Sequence, residues 1–212
     1  VRDHYLLSLE GADPLKNIPI ADYKEVISNI YDYNEKRWPT LYDFIANRAI
    51  DFFSNAEFNV TRPAETFEIN DIRYFSSPSL FTKIDIETKD SLSTSFYTIQ
   101  LLQDLTEYHL KENNIAPLLD LELKRLSIVK DLSVHEQKDS LYLMALQELS
   151  KKYPENEITA EVYAEIADWH RNKGNSFGQT QDSTYQKELI VAHEIATNTI
   201  KKFPDTKGSK LC

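Results

Sequence analysis

Lys151-Lys152-Tyr153-Pro154-Glu155 returns as Lys201-Lys202-Phe203-Pro204-Asp205, position for position and 50 residues later. Each copy reads as the close of a helix. Two cations complement the negative end of the helix dipole, an aromatic docks toward the core, and proline forbids continuation. Ala192 and Ala196, ahead of the second copy, are small enough to let a neighbouring helix approach. The pattern implies helical hairpins that bury their apolar faces on one another. It approximates the tetratricopeptide repeat, whose period is about 34 residues. The polar stretch 172–184, holding Gly174 and Gly178, is where the extra length is expected. That repeat's Trp-Leu-Gly-Tyr first helix is absent, and Tyr163 with Ala167 only approximates it.

Outward from the repeat, apolar residues recur at helical spacing along most of the chain. The stripes are Leu92, Phe96, Ile99, Leu102, Leu105 with His109 or Leu110; then Leu119, Glu122, Leu123, Leu126, Val129, Leu132 behind Pro117; then Tyr142, Ala145, Leu146, Leu149, Tyr153. Ile158, Val162, Tyr163, Ile166, Ala167 and Trp169 predict a further helix ended by Gly174, and Ser183 with Gln186 predicts a capping box opening the last one. Near the N-terminus, Ile20, Tyr23, Ile27, Ile30 and Tyr31 predict a helix over 20–33, preceded by an irregular lead. Pro39 stops it. Thr40 and Asp43 predict a reciprocal cap for a helix whose stripe is Leu41, Phe44, Ile45, Ala49, Phe52 and Phe53, with Arg48 among them. Between 54 and 89 no period persists. Pro63 and Pro78 interrupt it, while many aromatics predict an ordered crossover packed over helices, with a short strand at Phe81, Ile84 and Ile86. The expected fold is mainly α: stacked helical hairpins in a tetratricopeptide-like right-handed array with a long irregular crossover. Residues 1–89 hold the N-terminal helical pair and crossover, and 90–212 the repeat-like hairpins, in one continuous domain.

Composition narrows the function. The 212 residues carry a formal net charge of −10, a surface that repels nucleic acid and anionic lipid. Four glycines in the whole chain leave almost nothing from which to build a dinucleotide-binding, P-loop or nucleophile-elbow signature. The one cysteine, Cys212, excludes an intrachain disulfide and a cysteine-rich zinc site. No window approaches the roughly 18 consecutive apolar residues of a membrane span, which predicts no membrane insertion by this segment. The start at Val1, without a signal-like segment, predicts a processed or excised chain.

No catalytic, cofactor or metal site is expected. Asp43 with Asp51, or Glu161 with Glu165, can be drawn as an acid–base pair, but 34 carboxylates guarantee chance pairs on a solvated face. His193-Glu194 lacks the second histidine of a zincin helix, and His4, His109, His135 and His170 are scattered. Tyr31, Tyr33, Trp38 and Tyr42 surround Arg37. Arg37, Trp38 and Tyr42 are accordingly the candidate protein-binding surface, although a buried seam between helices accounts for such aromatics better than an open platform does.

Tyr33-Asn34-Glu35-Lys36-Arg37-Trp38-Pro39-Thr40-Leu41-Tyr42-Asp43-Phe44-Ile45-Ala46-Asn47-Arg48-Ala49-Ile50-Asp51-Phe52-Phe53 resembles the N-terminal region of large alpha-2-macroglobulin-like proteins of Bacteroides-type bacteria. Residues 203–212 are similar to the join after which that family's sandwich domains follow. The resemblance implies a protease-trapping cell-envelope protein, an endopeptidase inhibitor at the periplasm or outer-membrane surface, exported by a signal outside this chain. No thioester stretch and no run of short alternating strands accompanies it here. The chain is thus expected to be a non-catalytic helical interaction or spacer domain whose partners are other domains of the same polypeptide or a protein or peptide. The alternative is a helical glycan- or peptide-processing enzyme using paired carboxylates.

Overall fold

The computed structural model describes residues 2–27, 35–55, 67–90, 92–180 and 185–212, with the side chains of 177–180 excepted. Among these residues the chain is mainly helical, and its β-structure amounts to the isolated bridges Pro19–Thr40 and Ile69–Ser133. It divides into two compact units, 1–135 and 136–212.

The first unit holds α1 (Arg2–Leu9), α2 (Asp13–Lys16), a 3-10 turn Ile20–Tyr23 running into α3 (Lys24–Ile27), and α4 (Leu41–Ser54). A second 3-10 turn, Ile72–Phe75, precedes α5 (Pro78–Phe81), α6 (Thr94–Glu112) and α7 (Ile115–Leu132). Helix α6 packs against both α4 and α7, so these helices, predicted to join the repeat-like hairpins, belong with the N-terminal elements. The lead before Ile20 is helical, contrary to expectation. Helix α1 has no fully buried residue; it rests on α4 through half-buried Tyr5, Leu6 and Leu9, with the Tyr5 ring 5.2 Å from that of Phe52. In 20–27 the chain is a 3-10 turn and one helical turn, with Ile20 and Ile27 buried and Tyr23 exposed; Ile30 and Tyr31 lie outside the described residues.

Helix α4 opens as predicted. The Thr40 hydroxyl accepts from the Asp43 N–H at 3.2 Å, and the Asp43 carboxylate accepts from the Thr40 N–H at 2.9 Å. Its buried face, however, is Tyr42, Ala46, Ala49, Ile50 and Phe53, about one residue round from the predicted stripe. Two polar residues, Asp43 and Asn47, lie in that face, and a count of apolar residues steps over them. They tolerate burial because they are partnered. Asn47 donates to the Asp43 carbonyl at 3.0 Å and accepts from the Lys124 ammonium at 3.1 Å.

The described part of the crossover is ordered and packed. Ile69, Tyr74, Phe75, Phe81 and Ile84 are buried, and the Ile69 carbonyl accepts from the Val134 N–H at 3.0 Å. The predicted strand at Phe81, Ile84 and Ile86 does not form. Phe81 instead closes α5, which proline starts at Pro78, and the chain turns at Thr82–Lys83 before running on from Ile84.

The second unit holds α8 (Lys138–Lys152), α9 (Thr159–Thr180), α10 (Glu188–Lys202) and α11 (Lys207–Leu211), with α9 packed against the other three. The repeat seen in five residues extends over a whole helix. Helices α8 and α10 have the same 15-residue length and begin and end 50 positions apart. The closing residues share one backbone conformation, φ −128°, ψ 57° at Tyr153 and φ −126°, ψ 61° at Phe203. Lys152 and Lys202 each sit over the aromatic that follows, 5.3 and 5.2 Å from the ring centroid. The copies also touch: the Lys202 ammonium donates to the Pro154 carbonyl at 2.8 Å.

Gly174 does not end a helix. Helix α9 runs through it to Thr180, taking up much of the extra length, and a Cβ at this position would lie 2.9 Å from the Leu189 backbone nitrogen. The glycine serves close approach between α9 and the start of α10. Ser183 lies outside the described residues, and α10 opens at Glu188 without a side-chain cap. Gly208 is tighter still, since a Cβ on it would stand 2.2 Å from the Ala160 carbonyl carbon. Gly208→Ala is therefore expected to push α11 off α9 and cost roughly 1–3 kcal/mol, the range for overpacking. Urea unfolding followed by Trp169 emission, in a Trp38→Phe background, checks it; an unchanged midpoint would deny the close approach.

Candidate functional site

The predicted surface at Arg37, Trp38 and Tyr42 is a seam between helices. The Arg37 guanidinium donates to the Asp120 carboxylate of α7 at 2.5 Å, and the Trp38 indole N–H donates to the other oxygen at 3.3 Å. Trp38 packs edge-on to Phe44 of α4, with the Lys124 ammonium 5.9 Å from its ring. Lys124 in turn pairs with Asp51 at 2.6 Å, which closes the link between α4 and α7. Tyr42 is buried and packs edge-on against Tyr108, and this burial raises its phenol well above the ordinary range. A partner has no access to its ring. Tyr31 and Tyr33 lie outside the described residues.

The carboxylates drawn as acid–base pairs are engaged with other partners. Asp43 is fully buried and caps α4, Asp51 holds Lys124, Glu161 pairs with Lys207 at 3.2 Å, and Glu165 accepts from the Tyr142 hydroxyl at 2.9 Å. His109 is buried in α6 with its Nε2 2.8 Å from Asp43. That approach does not meet hydrogen-bond geometry, so Asp43 Oδ1 has no hydrogen-bond partner, and His109 Nδ1 on the other side of the ring has none either. His170 pairs with Glu188, while His193 is exposed. Among the described residues no three His, Cys, Asp or Glu side chains converge to hold a metal ion, and no helix is long and apolar enough to cross a membrane.

A second set of buried charges serves the crossover. Arg125 of α7 is 1% exposed, yet four of the five donors of its guanidinium are engaged. Its Nε and Nη2 donate to Glu122 at 2.8 and 2.6 Å, Nη1 donates to the Tyr74 carbonyl at 2.6 Å, and Nη2 also reaches the Ser76 carbonyl at 2.9 Å. The guanidinium lies 4.5 Å from the centroid of the Phe81 ring. This clasp fixes the 3-10 turn and α5 on α7. Gln103 of α6 assists, donating to the Phe81 and Ile84 carbonyls at 2.8 and 2.9 Å.

Clasping the crossover leaves a trough of about 730 Å³ between its two non-helical runs, 67–71 and 84–89. Phe67, Tyr74 and Ile84 supply apolar lining, and Glu68, Asp71, Asp85 and Glu87 the negative charge. Asp71 is spent on Arg73, whose side chain and backbone N–H hold its carboxyl below the usual range. A smaller depression of about 380 Å³ lies beside α2 and α6, where Lys16 sits over the Tyr42 and Tyr108 rings. The sequence pointed to neither depression. For the trough one signal was present: the alternation in Phe81, Ile84 and Ile86, read as a strand, of which Ile84 and Ile86 lie in a lone extended run. Compared with protein families, curated proteins and solved structures, the chain matches none.

Proposed function

We propose that the chain is a non-catalytic helical docking domain. In this account residues 136–212 form a tetratricopeptide-like, right-handed stack of hairpins, and the whole precedes the inhibitor body of an alpha-2-macroglobulin-like, protease-trapping protein of the cell envelope. The observation that carries it is the agreement of α8 and α10 in length, spacing, closing conformation and closing cation–aromatic pair. Repeated hairpins bury their faces on their neighbours and leave an extended surface for a partner. Met144 of α8 and Ile190 and Ile200 of α10 are exposed apolar residues on those helices, suited to contact with other domains of the same polypeptide. The assignment to a protease trap rests on the resemblance of 33–53 and 203–212. The coding sequence downstream of the Cys212 codon tests it: macroglobulin-type sandwich domains are expected there, and a reading frame that closes at that codon would refute the assignment.

A further inference from the structure

Two stretches of the crossover face one trough with part of their backbone hydrogen bonding unused. Residues 84–88 run without turn or bend, and exposure alternates from buried Ile84 through exposed Asp85 and half-buried Ile86 to exposed Glu87, the period-two signature of extended chain. Among the described residues, the N–H and C=O groups of Asp85, Ile86 and Glu87 make no hydrogen bond. Opposite, Phe67, Glu68, Ile69 and Asn70 alternate in the same way. Ile69 turns its carbonyl to Val134, so Glu68 and Asn70, one residue on either side, aim their backbone groups the other way. All four residues, Glu68, Asn70, Asp85 and Glu87, line the trough.

We propose that this trough takes an extended peptide bearing Lys or Arg at alternate positions, added as a strand along the Asp85–Glu87 edge. Strand addition recognises a peptide through main-chain hydrogen bonds and reads every second side chain. Here the two readers on one face are carboxylates. Asp85 and Glu87, with Glu68 across the trough, form no ion pair among the described residues; of the two cations that also line it, Arg73 is paired with Asp71, and Lys89 lies at the far end of the 84–89 run, so the carboxylates are in excess and opposite charges on the incoming strand are the complement. The alternate, inward positions meet Ile84, Phe67 and Tyr74 and call for apolar side chains. The same charges disfavour a second copy of this chain on that edge, since antiparallel self-pairing would bring Asp85 and Glu87 against each other. The volume fits the roughly 300–1,000 Å³ of ligand sites, and five residues at about 3.3 Å each match the length of the flanking runs. The site lies in the first unit and does not depend on the repeat-based reading of the second.

The test titrates the full chain with the blocked pentapeptide Lys-Val-Lys-Val-Lys, its Glu-for-Lys counterpart, and two versions N-methylated at either alternate set of amides. Asp85→Asn with Glu87→Gln supplies the protein variant, whose helical circular dichroism and unfolding midpoint are expected to stay unchanged because both residues are exposed. The lysine peptide is expected to bind with an affinity that falls with salt. The glutamate peptide is expected not to bind, and at least one N-methylated version and the double variant are each expected to weaken binding about tenfold or more. No binding by the lysine peptide overturns the proposal. So does equal binding by both methylated peptides or by the variant, since either would reduce the attraction to the diffuse field of a chain with net charge −10.

Discussion

Arg125→Met is expected to lower the stability of the first unit by roughly 3–5 kcal/mol, the cost of leaving a buried charge without its partner. Three acceptors lose their donor at once: the 1%-exposed Glu122 carboxylate and the carbonyls of Tyr74 and Ser76. The face of Phe81 also loses its cation. Methionine restores much of the volume, so a cavity does not account for the loss. The readout is urea unfolding followed by Trp38 emission in a Trp169→Phe background, since each unit holds one of the two tryptophans. A companion variant, Glu122→Met with Arg125→Met, separates charge from packing. It removes the orphaned carboxylate and is expected to be more stable than Arg125→Met alone, although the two carbonyls remain unserved. A loss below about 1 kcal/mol for the single variant would mean that the clasp does not hold the crossover on α7.

Asp43→Ala is expected to cost roughly 2–4 kcal/mol. About 1 kcal/mol is the lost cap of α4. The remainder comes from His109 and the Thr40 hydroxyl, which lose the one carboxylate they share in a fully buried position. Asp43→Asn, which keeps an oxygen for the cap, is expected to recover part of that loss. If alanine and asparagine behave alike, the carboxylate's two roles are not coupled as the geometry implies.

How far the sequence carried the fold follows from what each element buries. Apolar stripes announced α6 to α9 because those helices dock on neighbours, and Thr40 with Asp43 announced the start of α4 because a capping box is local chemistry. Helix α1 was silent, having no fully buried residue, and the face of α4 was misplaced because its deepest positions include Asp43 and Asn47. Gly174 was misread because close approach to Leu189 and helix termination leave the same residue in the sequence, and only the neighbour distinguishes them. The seam role of Arg37 and Trp38 was legible from aromatic density, but Asp120, which binds both, lies more than 80 positions away. The trough left one trace, the alternation at Ile84 and Ile86, and the rest of it was not legible. It depends on Arg125 pulling the crossover onto α7 through two backbone carbonyls, and carbonyls carry no side-chain signal.

The docking role itself is tested most directly by placing a photo-reactive phenylalanine at Met144, Ile190 or Ile200 in the protein within its native cells, with buried Leu146 as control. Crosslinks from the exposed positions to another domain of the same polypeptide, and none from Leu146, are the expected result. Free, uncrosslinked protein at all three exposed positions would contradict a domain that works by contact along α8 and α10.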